Sequence, residues 1–225
     1  MNTTKEEIDI LKPPPLHREQ WIKKNPVTEL GHRIVSSTVE EFASKGVLGA
    51  RIAEITKLAS TTDPAFYRYF AGIKPAALFI MSEYYWAPLN LRLNHYQQIS
   101  HDPLQLFEAV IEALIHSTED DHSRPWLAES KVFRIVVTQM RNPALLPETL
   151  LDSEYITFID KLESIISLGQ EQKVFSSDLR PYLVAQILVT SLHSLLLQSN
   201  LGLSHLKVEE KEIKQLAHRV VGLLV

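Results

Sequence analysis

The 225 residues contain no cysteine, which excludes disulfide frameworks, zinc knuckles and thiol nucleophiles together. The absence fits a reducing compartment. Residues 1–7 lack the apolar stretch of a secretory signal. The longest apolar region, 182–197, is interrupted by Gln186, Thr190, Ser191, His193 and Ser194. It falls short of the roughly 20 apolar residues expected of a membrane span. A cytoplasmic protein without a membrane partner is the expectation. No strand-like alternation stands out, and no period of 20 to 50 residues repeats. Catalytic signatures are also missing: there is no Gly-rich phosphate loop, no Gly-x-Ser-x-Gly elbow and no His-x-x-x-His pair. His101, His116 and His122 lie near acidic residues, but the 119–121 run reads as a solvated loop. Neither an enzyme, nor a metal, nor a cofactor is expected.

What remains is an ordinary globular composition, with 45% apolar and 22% charged residues and a net charge of −4. The charge is uneven. Up to Leu78 there are 11 Lys/Arg against 9 Asp/Glu, a balance of +2; the rest has 12 against 18, a balance of −6. A mildly basic head on an acidic body is compatible with a head that meets nucleic acid.

Residues 1–24 read as an extension. Lys12-Pro13-Pro14-Pro15 favours polyproline II backbone, and Trp21 and the Lys23-Lys24 pair follow. The segment is either a loose tail or an arm whose lysines approach phosphate. Asn25-Pro26 then offers a cap and a first-turn proline for a helix carrying Leu30, Ile34, Val35, Val39, Phe42 and Ala43, with Gly46 as its stop. Ile52, Ile55, Leu58 and Ala59 mark a short second helix, and 62–70 a third. Beyond these the pattern predicts a helix over 75–99 kinked at Pro88. Another starts at Asp102-Pro103-Leu104-Gln105, a capping box. Further helices are predicted near 125–140, 147–168, 178–200 and 208–224.

The third helix is too short to stand alone, since isolated helices below ~12 residues are marginal. It must be held by Phe66 and Phe70, which leaves Thr62, Asp63, Ala65, Tyr67, Arg68 and Tyr69 for recognition, as in a helix-turn-helix. Four pieces in order carry a family resemblance: Phe42-Ala43-Ser44-Lys45-Gly46, Ile52-Ala53-Glu54-Ile55-Thr56, Phe66-Tyr67-Arg68-Tyr69-Phe70, and Lys74 opening the next helix. Over these 45 or so residues the chain resembles the TetR family of helix-turn-helix regulators.

That resemblance implies an all-α fold. An N-terminal three-helix DNA-binding domain (25–73) would be followed by a larger helical effector-binding and dimerisation domain (74–225). It implies that Tyr67, Tyr69 and Lys74 contact phosphates and that Thr62, Asp63 and Ala65 face base edges. Its partners would be double-stranded DNA, a second copy and a small effector. The chain departs from the family in having Ser60 where the turn usually has Gly, Arg51 where a capping Thr or Ser is common, and acidic Asp63 toward DNA. Arg51 could reach a phosphate, and Asp63 could accept from a cytosine amino group.

In the body, 182–197 is apolar on several faces and must be buried on several faces. With the helix near 208–224 it could form a dimer interface through Leu188, Leu192, Leu195, Leu196, Leu216 and Val220, with His193 hydrogen-bonded there; the alternative is burial within one protomer. Tyr85, Tyr96, Phe107, Trp126, Phe133, Tyr155 and Phe158 are either core or the walls of a pocket for a hydrophobic or amphipathic molecule. The functional expectation is a sequence-specific regulator, a repressor released by such an effector. The alternative is a helical binding module whose helix-turn-helix no longer meets DNA.

Overall fold

The structure is a computed structural model that describes residues 22–117, 126–127, 129–139, 152–178, 180–200 and 209–221. Trp21, residues 13–15, residues 119–122 and the two ends of the last predicted helix lie outside this set. Among the described residues no strand forms, and ten α-helices carry the fold.

Helix α1 (Glu29–Gly49) begins three residues later than Asn25-Pro26 suggested. Thr28 is the cap, and its Oγ1 accepts from the Gly31 N–H at 3.1 Å. Pro26 instead lies buried against Gly31, where a Cβ would approach its backbone to 2.6 Å. The chain bends out of α1 at Gly46 (φ 69°, ψ 164°), a backbone region essentially reserved for glycine. Helix α2 (Ile52–Leu58) and helix α3 (Asp63–Tyr67) follow. The third is thus shorter than the predicted 62–70.

Helices α4 (Ile73–Met81) and α5 (Ala87–Ile99) are joined by a π-helical turn, Ser82–Trp86. The Ala87 N–H reaches back to the Ser82 carbonyl. Pro88 explains the widening, because its ring crowds the carbonyl four residues earlier and it has no N–H to give. Helix α6 (Pro103–His116) is capped by Asp102, which accepts from the Leu104 N–H at 2.9 Å. The expected capping box does not close, since Gln105 Oε1 accepts from Ser100 Oγ instead.

The rest are α7 (Glu129–Gln139), α8 (Ser153–Glu171), α9 (Pro181–Asn200) and α10 (Glu210–Val220). Helix α8 packs along α6 and α9, α9 along α10, and α1 across α7 and α4. One apolar core therefore runs from Ile34 in the head to Val221 in the body, with Trp86, Phe107, Phe133 and Phe158 fully enclosed. Pro181–Gln198 is long and apolar enough to cross a bilayer by length and composition, contrary to the reading of its interrupted pattern. Here its Val184, Ala185, Leu188, Val189, Leu192 and Leu196 belong to the core.

Candidate nucleic-acid interface and the body beneath it

Helix α3 has only five residues and is held from three sides. Ala65, Phe66, Tyr69 and Phe70 point inward at 0–4% exposure. Phe66 and Phe70 pack ring on ring at 5.5 Å, and Phe70 meets Phe79 of α4 at 5.5 Å. From α2, the buried Thr56 hydroxyl donates to Asp63 Oδ1 at 2.6 Å. From the N-terminal side, the Lys23 N–H donates to the Tyr69 carbonyl at 2.7 Å. This satisfies an acceptor that the end of a short helix leaves open.

The outward face carries Thr62, Asp63, Pro64, Tyr67 and Arg68, all exposed. Two expected members are corrected. Ala65 is enclosed beneath the helix and meets no base edge. Tyr69 is buried, and its hydroxyl lies 2.8 Å from Thr28 Oγ1, so it braces α1 instead of reaching phosphate. Pro64, in the first turn of α3, also belongs to the exposed face.

The departures at the turn have structural answers. Ser60 itself takes the positive φ, at 49°, where glycine would be free of Cβ strain. Arg51 precedes α2 without a side-chain cap. The donor problem is met from outside, because the Arg51 N–H gives to Glu41 Oε1 at 3.3 Å. Glu41, 4% exposed, also takes Lys45 Nζ at 2.9 Å. Its charge sits beside the N-terminus of α2, where a carboxylate is favoured. The Arg51 side chain is left exposed, and Lys74 is half-buried in the first turn of α4.

In the body, four of the seven aromatic candidates converge. Tyr85, Phe133, Tyr155 and Phe158 surround Trp86 and His193. The cluster contains polar atoms: Tyr85 Oη is 2.8 Å from His193 Nε2 and 3.1 Å from Ser117 Oγ. Tyr155 donates to Gln186 at 2.9 Å. Burial raises the Tyr85 phenol well above its ordinary value and pushes Tyr155 up to about 12. Trp86 Nε1 is buried with no acceptor among the described residues.

The other three lie elsewhere. Phe107 packs on Phe175. Trp126 stacks on His32 at 4.3 Å, joining head to body. Tyr96 lines an open cleft of about 330 Å³ with Leu91, Arg92, His95, Glu112, Ala113 and His116.

The expected dimer residues also divide. Leu188 and Leu192 are 1% exposed and Leu196 5%. They fill the protomer's own core, as does His193, so none of the four faces a partner. Leu195 and Val220 are half-buried, and Leu216 is 40% exposed. The outer face of α9 shows Tyr182, Leu183 and Ile187, each 40–44% exposed, which the pattern of leucines concealed.

No family model matches the sequence, and no curated protein matches it. Solved structures do match. The transcriptional regulator FadR from Bacillus subtilis, in complex with stearoyl-CoA, superimposes with a TM-score of 0.69 at 15% identity, covering 86% of this chain and 98% of that one. AibR in complex with isovaleryl coenzyme A and operator DNA gives 0.61 at 15% identity, over 85% and 97%. A TetR-family transcriptional regulator from Syntrophomonas wolfei gives 0.63 at 16% identity, over 86% and 95%. At these identities the likeness is one of fold: this chain has the all-helical fold of the TetR-type regulators.

Proposed function

We propose that the chain is a sequence-specific DNA-binding transcriptional regulator, acting in the cytoplasm as a homodimer. In this reading it is a repressor released by a small hydrophobic or amphipathic effector, and not an enzyme. The observation that carries the reading is the mounting of α3. Its inner face is sealed by Phe66 and Phe70, while Thr62, Tyr67 and Arg68 stand free on the other side. A helix so held can enter a major groove without losing its own support. Tyr67, Arg68, Arg51 and Lys74 are placed to meet phosphates, and Thr62 to meet a base edge.

The fold neighbour solved with operator DNA supports this, and the two solved with acyl-coenzyme A support an amphipathic effector. The chemistry of the Trp86–His193 cluster supports the same reading, since mostly apolar rings with a few buried polar atoms suit an amphipathic molecule. The dimer would form through Leu183, Ile187 and Leu216, with Leu195 and Val220 beside them.

Retardation of the chain's own upstream DNA tests the reading. Specific binding that weakens steeply with salt is expected, and Tyr67→Ala should reduce it while leaving the thermal midpoint unchanged. Absent or sequence-blind binding would overturn it.

A further inference from the structure

The segment preceding α1 is not a loose tail where it is described. Ile22 pairs in antiparallel fashion with Phe70 and packs on the core. The Lys23 N–H is bonded to the Tyr69 carbonyl, and Lys24 Nζ stands 5.9 Å from the centre of the Tyr69 ring, within cation–π reach. Thr28 bonds the Tyr69 hydroxyl. Residues 22–28 therefore form a strap across the trailing end of α3, and Tyr69 is its anchor.

The consequence concerns charge. On the sequence alone, Tyr69 stood as a phosphate contact, but the strap covers it. In its place the strap brings two exposed lysines, Lys23 and Lys24, beside exposed Arg68. Lys23 is fixed by its main-chain N–H, and Lys24, next in the chain, rests its ammonium over the Tyr69 ring. The ammonium groups thus have a defined origin next to the recognition helix and freedom only at their ends. Disordered lysines must be ordered when they meet a partner; these are already delivered to the edge of the candidate interface.

We infer that the strap is part of the DNA interface, with Lys23 and Lys24 binding backbone phosphates flanking the segment met by α3. The inference rests on the DNA-binding reading above and deepens it by naming a second element of the site.

The test is the salt dependence of affinity. Fluorescence anisotropy would follow a labelled 30-base-pair duplex from the chain's own upstream region, and an unrelated duplex of equal length, over a range of KCl. The double variant K23Q/K24Q is compared with the unsubstituted chain, with K23R/K24R and with R68Q. Each lost phosphate contact lowers the slope of log K against log[salt] by about 0.9. The double variant should therefore lose roughly 1.8 per protomer, on both duplexes, since phosphate contacts carry no sequence information. K23R/K24R should retain the slope, and the thermal midpoint of all variants should shift little, because the Lys23 anchor is a main-chain N–H and the Lys24 contact with the Tyr69 ring is an exposed one.

An unchanged slope for K23Q/K24Q, where R68Q lowers it, would overturn the role of the strap while leaving the regulator intact. A loss of slope in K23R/K24R equal to that in K23Q/K24Q would also overturn it, since the charge would not be responsible. Failure of the unsubstituted chain to bind either duplex would overturn the DNA-binding reading itself.

Discussion

Asp63 faces outward on α3, yet its carboxylate accepts a hydrogen bond from a buried hydroxyl of α2 at 2.6 Å. Two roles compete: a clamp that sets the angle of α3, or a reader of a cytosine amino group. A double-mutant cycle separates them. Thr56→Val removes the hydroxyl with little change of shape, and Asp63→Ala removes the carboxylate. A hydrogen bond to a charged group contributes about 1.5–3 kcal/mol when enclosed. Asp63 is largely solvated on its other side, which brings the expected coupling down to about 1 kcal/mol. Urea unfolding of the four proteins measures it.

The same four proteins are then assayed on the preferred DNA and on single-base variants of it. A clamp predicts that Thr56→Val and Asp63→Ala weaken binding by similar factors on every duplex, because each loosens the same helix. Two results refute the clamp. One is a coupling energy within the ~0.3–0.5 kcal/mol scatter of independent sites; the other is a change of base preference in Asp63→Ala that Thr56→Val does not share.

Gly46→Ala should destabilise the head by about 1–3 kcal/mol in thermal unfolding, the typical cost of holding an alanine at that φ/ψ. No atom within 4 Å would meet the new Cβ, so an unchanged midpoint would show that the backbone simply relaxes. Asp152 is raised from 3.8 to about 6, chiefly by burial and against the hydrogen bond it accepts from the Tyr155 N–H. Because the folded value lies above the unfolded one, its ionisation costs stability progressively as pH rises from about 4 to 6, and fully above that. Asp152→Asn, which can still accept that bond, should stabilise at pH 7.5 by an amount on the order of 3 kcal/mol at most; at pH 4 the gain should vanish, and an equal gain at both pH values would refute the assignment. Ile187→Arg should give a folded monomer in sedimentation, whereas Leu192→Arg, which buries a charge in the protomer core, should unfold it. A dimeric Ile187→Arg would discard the proposed interface.

The helix-turn-helix was legible because its signals are local: Phe66 and Phe70 four apart, Gly46 where the chain must bend, and three apolar clusters within 45 residues. Ala65 and Tyr69 face inward for reasons that helical arithmetic does not supply. At about 100° per residue, Ala65 and Tyr67 lie equally far to either side of Phe66, and α3 ends at Tyr67, so the regular period does not reach Tyr69. Pro88 foretold a disturbance but not its form, since a proline can be met by a kink or by a π turn one turn earlier. The leucines of α9 could not be apportioned from sequence, because a helix apolar on several faces does not declare which face meets its own body. The strap was legible only as one of two alternatives, an arm carrying Lys23 and Lys24; its docking on Tyr69 and Phe70 had no signal. It answers an open carbonyl at the end of α3, and that need exists only once the fold has placed it there.

The same rings that fix α3 also tie the head to the body. Phe70 touches Phe79, Phe79 touches Tyr84, Tyr84 meets Trp126, and Trp126 stacks on His32 of α1, with successive ring centres 4.3–5.8 Å apart. Tyr84 lies in the π turn, directly before Tyr85 and Trp86 of the body's polar cluster. A π turn is a helix holding one residue more than its regular path requires, and such turns are frequent at functional sites. The place where the body's buried polar atoms gather is thus one residue removed from the ring chain that supports the recognition helix. Close packing transmits displacement along such contacts, and α3 is held jointly by Thr56, by the strap and by the Phe70–Phe79 contact with which that chain of rings begins.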